Sequence, residues 1–313
     1  MAARPFRRLL LPGVLLVVAA LAGVFAVALL RAPSVADLPA RLTSIERANG
    51  ADPVPITRIP ATLREAVVAT EDERFYDNRG VDVIALARAV PYDVVHLSLA
   101  QGASTITEQL GKLAYLQGND HSPWRKLTDI ALGFRIGHHY DHEQVLDDYL
   151  NVAYFGDGAY GVESAAHRYF GRDVSRLDLA QASLLAGLVQ APTAYDPLTD
   201  PRGARDRQVA VLRSMVRNGY VTEAQAGAAV GSRLPLAGGR ALPALHGIDF
   251  AVPAPFDWAE LAVALLLVAG AAAAFVAARV VAPSLAVRST LRVAAVLLLL
   301  AGALTAAYSV QVV

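Results

Sequence analysis

The run from Leu9 to Leu30 constrains the fold of this chain more than any other feature, because it contains 22 residues and no charged side chain. A helix of that length extends ~33 Å at ~1.5 Å per residue, which is enough to cross the ~30 Å hydrocarbon core of a bilayer. The apolar core of a cleavable signal peptide is shorter, about 7–15 residues. The sequence therefore predicts a transmembrane anchor at the amino terminus.

Two further apolar runs lie near the carboxyl terminus, from about Leu261 to Ala278 and from about Val293 to Val313. Three arginines precede the first run, and three more fill the short loop between the last two, which contains no acid. Because positively charged loops stay in the cytoplasm, this arrangement predicts a multi-pass protein of the cytoplasmic membrane whose residues 32–256 lie outside. Buried core helices are the alternative for the last two runs, and their unbroken apolar character argues against it.

The chain contains no cysteine, which excludes thiol catalysis, disulfides and zinc sites built from cysteine. An exported region of over 200 residues can bury a sufficient core without disulfides. Basic and acidic residues are equal in number, 28 of each, and we expect no nucleic-acid partner.

Helical periodicity dominates the exported region, and strand-like alternation is nearly absent, so the sequence predicts an all-α domain. Ser122 followed by proline, Asp141 and Thr222 are expected to cap helices. The predicted organisation is a cytoplasmic end and anchor (1–31), an extracytoplasmic linker (32–59), a helical domain (60–230), a linker rich in proline and glycine (231–257) and a two-helix transmembrane hairpin (258–313). Within the domain, helices are predicted at about 60–70, 81–90, 105–116, 124–139, 143–151, 162–170, 178–189 and 202–218.

The first candidate functional cluster is the segment ATEDERFYDNRGVD, in which Glu71 and its acidic neighbours crowd a predicted helix end beside Phe75 and Tyr76. Like charges and aromatic neighbours tend to raise the pKa of a carboxylate, which suits a general acid or base. An exposed acidic turn is the alternative.

The second cluster is QGASTITEQLGKL, where Thr105 and Glu108 match a capping box. That pattern does not account for Gln109 and Lys112, which lie three residues apart on one helix face. Backbone N–H groups at a helix start beside a lysine are a natural anion site.

The third cluster is SPWRKLTDIALGF, in which Arg125 and Asp129 stand four residues apart. An ordinary surface ion pair explains that spacing, and an acid whose charge is set by Arg125 and Lys126 is the functional interpretation. Lys112 and Lys126 are the only lysines in the chain, and both fall in these clusters.

The pair His138 and His142 has the spacing of two metal ligands on a helix. A helix boundary is expected at Tyr140 and Asp141, which would separate the two side chains, so we predict no metal site there.

These clusters, in this order, resemble the peptidoglycan glycosyltransferase domain of class A penicillin-binding proteins and monofunctional transglycosylases. ATEDERFYDNRGVD is similar to the first family motif, GASTITEQLGKL to the second and WRKLTDIALGFRI to the third. VLDDYLNVAYFGDGAYGVESAAHRYFGR resembles the fourth, and the helices up to about Ala226 resemble the closing part of the domain. Nothing in the chain resembles a transpeptidase domain.

The resemblance implies a lysozyme-like, bilobal helical fold on the outer face of the cytoplasmic membrane. Its substrates would be lipid II and the growing glycan strand, joined with inversion at C1 and release of undecaprenyl pyrophosphate. Glu71 would be the catalytic base, and Asp129, the second catalytic residue, would assist at the donor side or orient the basic groups. The residues implied in substrate binding are Asn78, Ser104, Thr105, Glu108, Gln109, Lys112, Arg125 and Lys126.

The chain departs from the family pattern at several of these positions. Asn78 replaces a histidine, Glu108 a glutamine, and Asp129 and Asp147 each replace a glutamate, while Leu113 and His121 are also altered. Glu108 brings a negative charge to the expected pyrophosphate site. A homologue without catalysis, which binds lipid II or other cell-wall synthesis and division proteins, is therefore the alternative function, and a lysozyme-like hydrolase is a third. The resemblance implies no required cofactor, with Mg²⁺ or Mn²⁺ at the pyrophosphate as the option left open.

Overall fold

The computed structural model describes residue 19 and residues 22–86, 104–116 and 122–251, and these residues are mostly helical. A short helical segment covers residues 22–31. It is followed by α1 (Leu38–Asn49), α2 (Ala61–Glu71), α3 (Ile106–Tyr115), α4 (Pro123–His139), α5 (His142–Val152), α6 (Val162–Phe170), α7 (Leu179–Leu188), α8 (Pro201–Arg217) and α9 (Glu223–Val230). Single 3₁₀ turns occur at Ile56–Arg58, Val174–Arg176 and Ala237–Gly239, and two short strands, β1 (Leu234–Pro235) and β2 (Ala241–Leu242), pair antiparallel.

The predicted all-α character is confirmed, and seven of the predicted helices begin and end within one residue of those observed. Their caps explain this agreement. The side chains of Ser122, Asp141 and Thr222 each accept a hydrogen bond from a backbone N–H in the first turn of the helix that follows. Of the helix predicted at 81–90, residues 81–86 are described, and those from 83 to 86 are helical.

Two groups of helices share one hydrophobic core. In the first group, α2 packs against α7 and α8, and in the second, α3 packs against α4 and α5. Leu63 and Val67 of α2 are fully buried, as are Ile106 and Leu110 of α3. The carboxyl end of α2 and the amino end of α3 meet through polar groups, which places Glu71 at the junction of the two groups.

Two segments predicted as linkers contain regular structure. Residues 32–59 include α1, whose Leu38 and Leu42 are buried in the core. Residues 231–250 include the β1–β2 hairpin and the buried side chains of Leu236 and Phe250. Apolar residues among the prolines and glycines hold this second segment against the helices, so the folded unit that contains the helices continues to Phe250.

No helix among the described residues has the length and apolar character needed to cross a membrane. Of the predicted anchor, only residue 19 and residues 22–30 are described, and the two predicted carboxyl-terminal spans lie outside the described residues.

Gly133 on α4 allows the close approach of three elements. A Cβ atom at this position would lie 2.6 Å from the Gly80 carbonyl oxygen and 2.7 Å from Glu108 Cγ. Since Gly80 belongs to the turn after α2, and Glu108 to α3, the missing side chain sets how closely α4 packs on both.

We expect Gly133→Ala to destabilise the chain by about 1–3 kcal/mol, because the backbone contact at Gly80 cannot relax. Gly227→Ala is the matched control, since that glycine lies inside α9 with nothing within 4 Å of the added Cβ. It should be neutral or stabilising by up to about 1 kcal/mol. Thermal melting of the full chain in detergent measures both effects, and equal melting temperatures would contradict the packing argument.

Candidate active site

Glu71 is the last residue of α2, and its side chain is largely buried, with 10% exposed. Gln109 Nε2 on α3 donates a hydrogen bond of 2.9 Å to Glu71 Oε2. Arg207 Nη2 on α8 lies 3.7 Å from the other oxygen, Oε1. Burial raises the pKa of the Glu71 carboxyl, and Gln109 and Arg207 oppose that rise. A carboxyl whose pKa is raised in this way is a stronger proton acceptor than an exposed glutamate.

A second hydrogen bond fixes the amide of Gln109 at its oxygen. Tyr149 on α5 is 1% exposed, and its hydroxyl donates a hydrogen bond of 2.7 Å to Gln109 Oε1. With its oxygen accepting from Tyr149, the amide must turn its NH₂ group toward Glu71. Three helices therefore determine the orientation of one carboxylate.

Asp72 connects α2 directly to the start of α3. Its Oδ2 accepts a hydrogen bond of 3.2 Å from the backbone N–H of Ile106. Asn78 Nδ2 donates to Asp72 Oδ1 at 3.0 Å, and Asn78 Oδ1 accepts from the backbone N–H of Gly80. Burial is the main reason that the pKa of Asp72 is raised to about 6. Asn78 thus lies inside the turn after α2, with both ends of its amide bound to protein groups.

Thr105 caps α3, as its spacing to Glu108 predicts, but the capping box is incomplete. Its hydroxyl accepts from the backbone N–H of Glu108 at 3.0 Å and donates to the Gly80 carbonyl oxygen at 2.8 Å. The Glu108 side chain does not return to the helix start. It turns toward α4 instead, so the capping explanation for Glu108 is wrong.

Glu108 forms an internal ion pair with Lys126. It is 1% exposed, and Lys126 Nζ lies 2.7 Å from its Oε2 and 2.7 Å from the hydroxyl oxygen of Ser104. Burial raises the pKa of Glu108, and Lys126 opposes the rise. The absent side chain at Gly133 leaves the space that the Glu108 side chain occupies. The acidic residue at this position is therefore neutralised from within the protein.

Asp129 lies one helical turn beyond Lys126 on α4, with 15% of its side chain exposed. Arg125 Nε is 3.7 Å from Asp129 Oδ1, and neither of these two buried atoms has a hydrogen-bond partner. Burial raises the pKa of Asp129, while Lys126, Arg125 and Lys112 oppose it. Arg125 also donates to the carbonyl oxygen of Leu116 at the end of α3.

Helix α3 thus contributes to two polar clusters. The Glu71 cluster consists of Glu71, Gln109, Tyr149 and Arg207, and the other contains the charged groups of α4. Gln109 points to the Glu71 cluster, while Glu108 and Lys112 interact with the charged groups of α4. Lys112 is exposed, which leaves its ammonium group accessible from solvent.

Sequence reasoning missed two residues of the Glu71 cluster. Tyr149 stands within the segment VLDDYLN, whose similarity to a family motif was the available signal. Arg207 gives no local signal, because a basic residue on a long helix is usually a surface residue. Its position depends on the packing of α8 against α7, where its Nε donates to the Gly187 carbonyl oxygen at 3.2 Å.

His138 and His142 are held by different parts of the chain. A ring nitrogen of His138 lies 2.7 Å from the Phe134 carbonyl oxygen, and one of His142 lies 2.7 Å from the Asn78 carbonyl oxygen. Helix α4 ends between them, at His139. Within the described part of the chain they do not form a metal-binding group.

Comparison with known proteins identifies the family and several relatives of this chain. The sequence model of the transglycosylase family matches residues 39–216. A protein of Cupriavidus necator that carries the provisional name of transglycosylase is 44% identical over 176 residues, which cover 56% of this chain and 74% of that protein. Penicillin-binding protein 1A of Neisseria flavescens is 42% identical over 53% of this chain and 21% of its own length. Penicillin-binding protein 1F of Bacillus subtilis is 36% identical over 59% of this chain and 26% of its own length.

A helical domain with this family match and these relatives defines an enzyme of the glycosyltransferase class. More particularly, the chain belongs to the transglycosylase family, whose model covers more than half of it. The resemblance found in the sequence motifs is confirmed. The chain spans about a fifth to a quarter of the length of the two penicillin-binding proteins.

The Glu108–Lys126 pair gives a prediction about stability. Lys126→Met should cost about 1–3 kcal/mol, because it leaves a buried carboxylate without its cation. Glu108→Gln is the matched variant, since the amide oxygen can still accept from Lys126, and it should cost less. Combining the two changes should recover part of the loss, because no charge then remains buried. Melting of the full chain in detergent decides the matter, and additive losses in the double variant would count against the pair.

The raised pKa of Asp72 gives a prediction about pH. Because the carboxyl is protonated more readily in the folded chain, this group favours folding most below its ordinary pKa of 3.8. That contribution is lost as the pH rises from 3.8 to about 6. Asp72→Asn should therefore flatten the fall in melting temperature across this interval, and an unchanged pH dependence would contradict the assignment.

Proposed function

We propose that this chain is a membrane-anchored peptidoglycan glycosyltransferase that polymerises lipid II into glycan strands. The observation that carries the proposal is the buried Glu71 carboxylate, oriented by Gln109 of α3, the helix that also carries Lys112 and packs against the Arg125 and Lys126 helix α4. The reaction needs a base that removes the proton from the attacking hydroxyl, and it needs positive charge that stabilises the leaving pyrophosphate.

In the proposed reaction, Glu71 removes the proton from the 4-hydroxyl of the acceptor sugar. The acceptor oxygen attacks C1 of the donor with inversion, the bond from C1 to the pyrophosphate oxygen breaks, and undecaprenyl pyrophosphate leaves. Burial of Glu71 favours its neutral form and so strengthens it as a base.

The leaving pyrophosphate needs neutralisation where its charge develops. We assign the pyrophosphate to two cations, Lys112 and Arg125. Lys112 is exposed, and Arg125 lies close to the Asp129 carboxylate. Lys126 already balances Glu108 and holds Ser104, and we give it the role of setting the local charge. Asp129 would hold Arg125 in position and act on the donor side.

The structure alters the proposed roles of the remaining predicted binding residues. The side chains of Asn78 and Thr105 are engaged in the turn after α2 and in the cap of α3, and we assign them positioning roles. Gln109 is engaged with Glu71 and Tyr149 and would orient the base. Glu108 would act only through its pair with Lys126.

The proposed reaction requires no cofactor. A Mg²⁺ or Mn²⁺ ion at the pyrophosphate would fit one protein oxygen, Asp129 Oδ1, which is buried and has no hydrogen-bond partner. An ion held there would supply further positive charge to the pyrophosphate.

The lysozyme-like bilobal architecture, the amino-terminal anchor and the carboxyl-terminal membrane hairpin belong to the same proposal. They rest on the sequence motifs and on the apolar runs. Other cell-wall synthesis and division proteins are proposed partners, and the outer face of the cytoplasmic membrane is the proposed location of the catalytic domain.

The test uses the purified full chain in detergent with labelled lipid II. We expect glycan polymer from the unaltered chain and a loss of about 100-fold or more in Glu71→Gln, because general-base catalysis contributes at least that much. Glu73→Gln is the matched control, since it changes a neighbouring glutamate outside the Gln109 contact, and it should retain activity. Tight lipid II binding without polymer would support the non-catalytic homologue, and cleavage of finished glycan would support a hydrolase.

The orienting role of Tyr149 can be separated from a structural one. Tyr149→Phe frees the Gln109 amide and weakens the hydrogen bond that lowers the pKa of Glu71. The acidic limb of the profile of kcat/KM against pH should then move to higher pH, by up to about one unit. A loss of rate that is equal at every pH would show that Tyr149 only stabilises the fold.

A further inference from the structure

Three potential metal ligands lie together on α6 and just after it, and none of them belongs to either cluster of the candidate active site. Glu163 and His167 are one helical turn apart, and Asp173 precedes the 3₁₀ turn Val174–Arg176. His167 Nε2 lies 3.4 Å from Glu163 Oε1 and 3.5 Å from Asp173 Oδ1. One ligand atom from each of the three residues falls within 4.8 Å of the other two.

The Glu163 side chain is prepared for such a role. It is 4% exposed, and its Oε2 accepts a hydrogen bond of 2.8 Å from the backbone N–H of Val174. That bond fixes the carboxylate so that its other oxygen, Oε1, faces His167. Half of the His167 side chain is exposed, and so is much of Asp173, which leaves a route for an ion and for water.

The two distances from His167 suit a tetrahedral transition-metal site. Nitrogen and oxygen ligands lie ~2.0–2.2 Å from Zn²⁺, so two ligands of one tetrahedral ion are separated by ~3.3–3.5 Å. Both distances from His167 fall in or close to that range. One imidazole with two carboxylates suits zinc better than Mg²⁺ or Ca²⁺, which prefer a larger set of oxygen ligands.

We propose that Glu163, His167 and Asp173 form a Zn²⁺ site, with water as the fourth ligand. Such an ion would tie the end of α6 to the turn Val174–Arg176 and stabilise the folded chain by mass action. The site is independent of the proposed glycosyl transfer.

One cation competes with an ion for the Glu163 carboxylate. Arg58 Nη2 lies 3.7 Å from Glu163 Oε1, but nearly half of this side chain is exposed, so it can turn into solvent when an ion binds. An ion must also take the place of the contacts that His167 Nε2 makes with the two acids.

The test is a titration of the full chain in detergent with Zn²⁺. Calorimetry measures the binding, and thermal melting measures the change in stability. We expect one ion per chain and a rise in melting temperature for the unaltered chain. His167→Gln and Asp173→Asn should each weaken binding by more than about tenfold, since each removes one ligand. His139→Gln, which alters an exposed histidine on α4, should behave like the unaltered chain.

Replacement of Zn²⁺ by Co²⁺ gives a second readout, because tetrahedral Co²⁺ absorbs strongly in the visible range. The band should form in the unaltered chain and in His139→Gln, and be absent in His167→Gln. Melting temperatures without metal show whether each variant is folded. Equal zinc binding by all four proteins, or no binding by the unaltered chain, would overturn the proposal.

Discussion

The hydrogen bond from Gln109 to Glu71 is the interaction on which the candidate site depends. It joins α2 to α3, and thus the two groups of packed helices, through one amide. Tyr149 fixes which end of that amide faces the carboxylate. Burial then gives Glu71 its raised pKa, while Gln109 and Arg207 limit the rise. A base that is buried but hydrogen-bonded can stay in place and still exchange a proton.

The charge at Glu108 illustrates how a departure from a family pattern is accommodated. The carboxylate is buried, paired with Lys126 and placed in space that Gly133 leaves open. Considered alone, an acid beside a pyrophosphate site should weaken anion binding. Paired with Lys126, it instead holds the ammonium group of that lysine, and its own charge is balanced inside the protein. The same pairing holds Ser104 at the start of α3.

Local signals in the sequence were sufficient for most of the helices. Caps such as Ser122 and Asp141 act within a few residues, so helix ends follow from neighbouring side chains. Contacts between side chains of different helices could not be predicted from such local signals. The direction of the Glu108 side chain depends on a lysine of another helix, and the position of Arg207 depends on how α8 packs. Residues 231–250 were predicted as a linker because they are rich in proline and glycine. That composition obscured the apolar residues between them, which are buried in the core.

The central claim is that the acceptor and the donor each occupy one cluster, with the reacting hydroxyl of the acceptor at Glu71 and the pyrophosphate of the donor at the cations of α3 and α4. The most direct test is a structure of the Glu71→Gln chain with lipid II bound. The account predicts an acceptor hydroxyl within ~2.6–3.2 Å of the side chain at position 71. It also predicts pyrophosphate oxygens in contact with Lys112 and Arg125. A hydroxyl directed away from position 71, or a pyrophosphate held elsewhere, would contradict it.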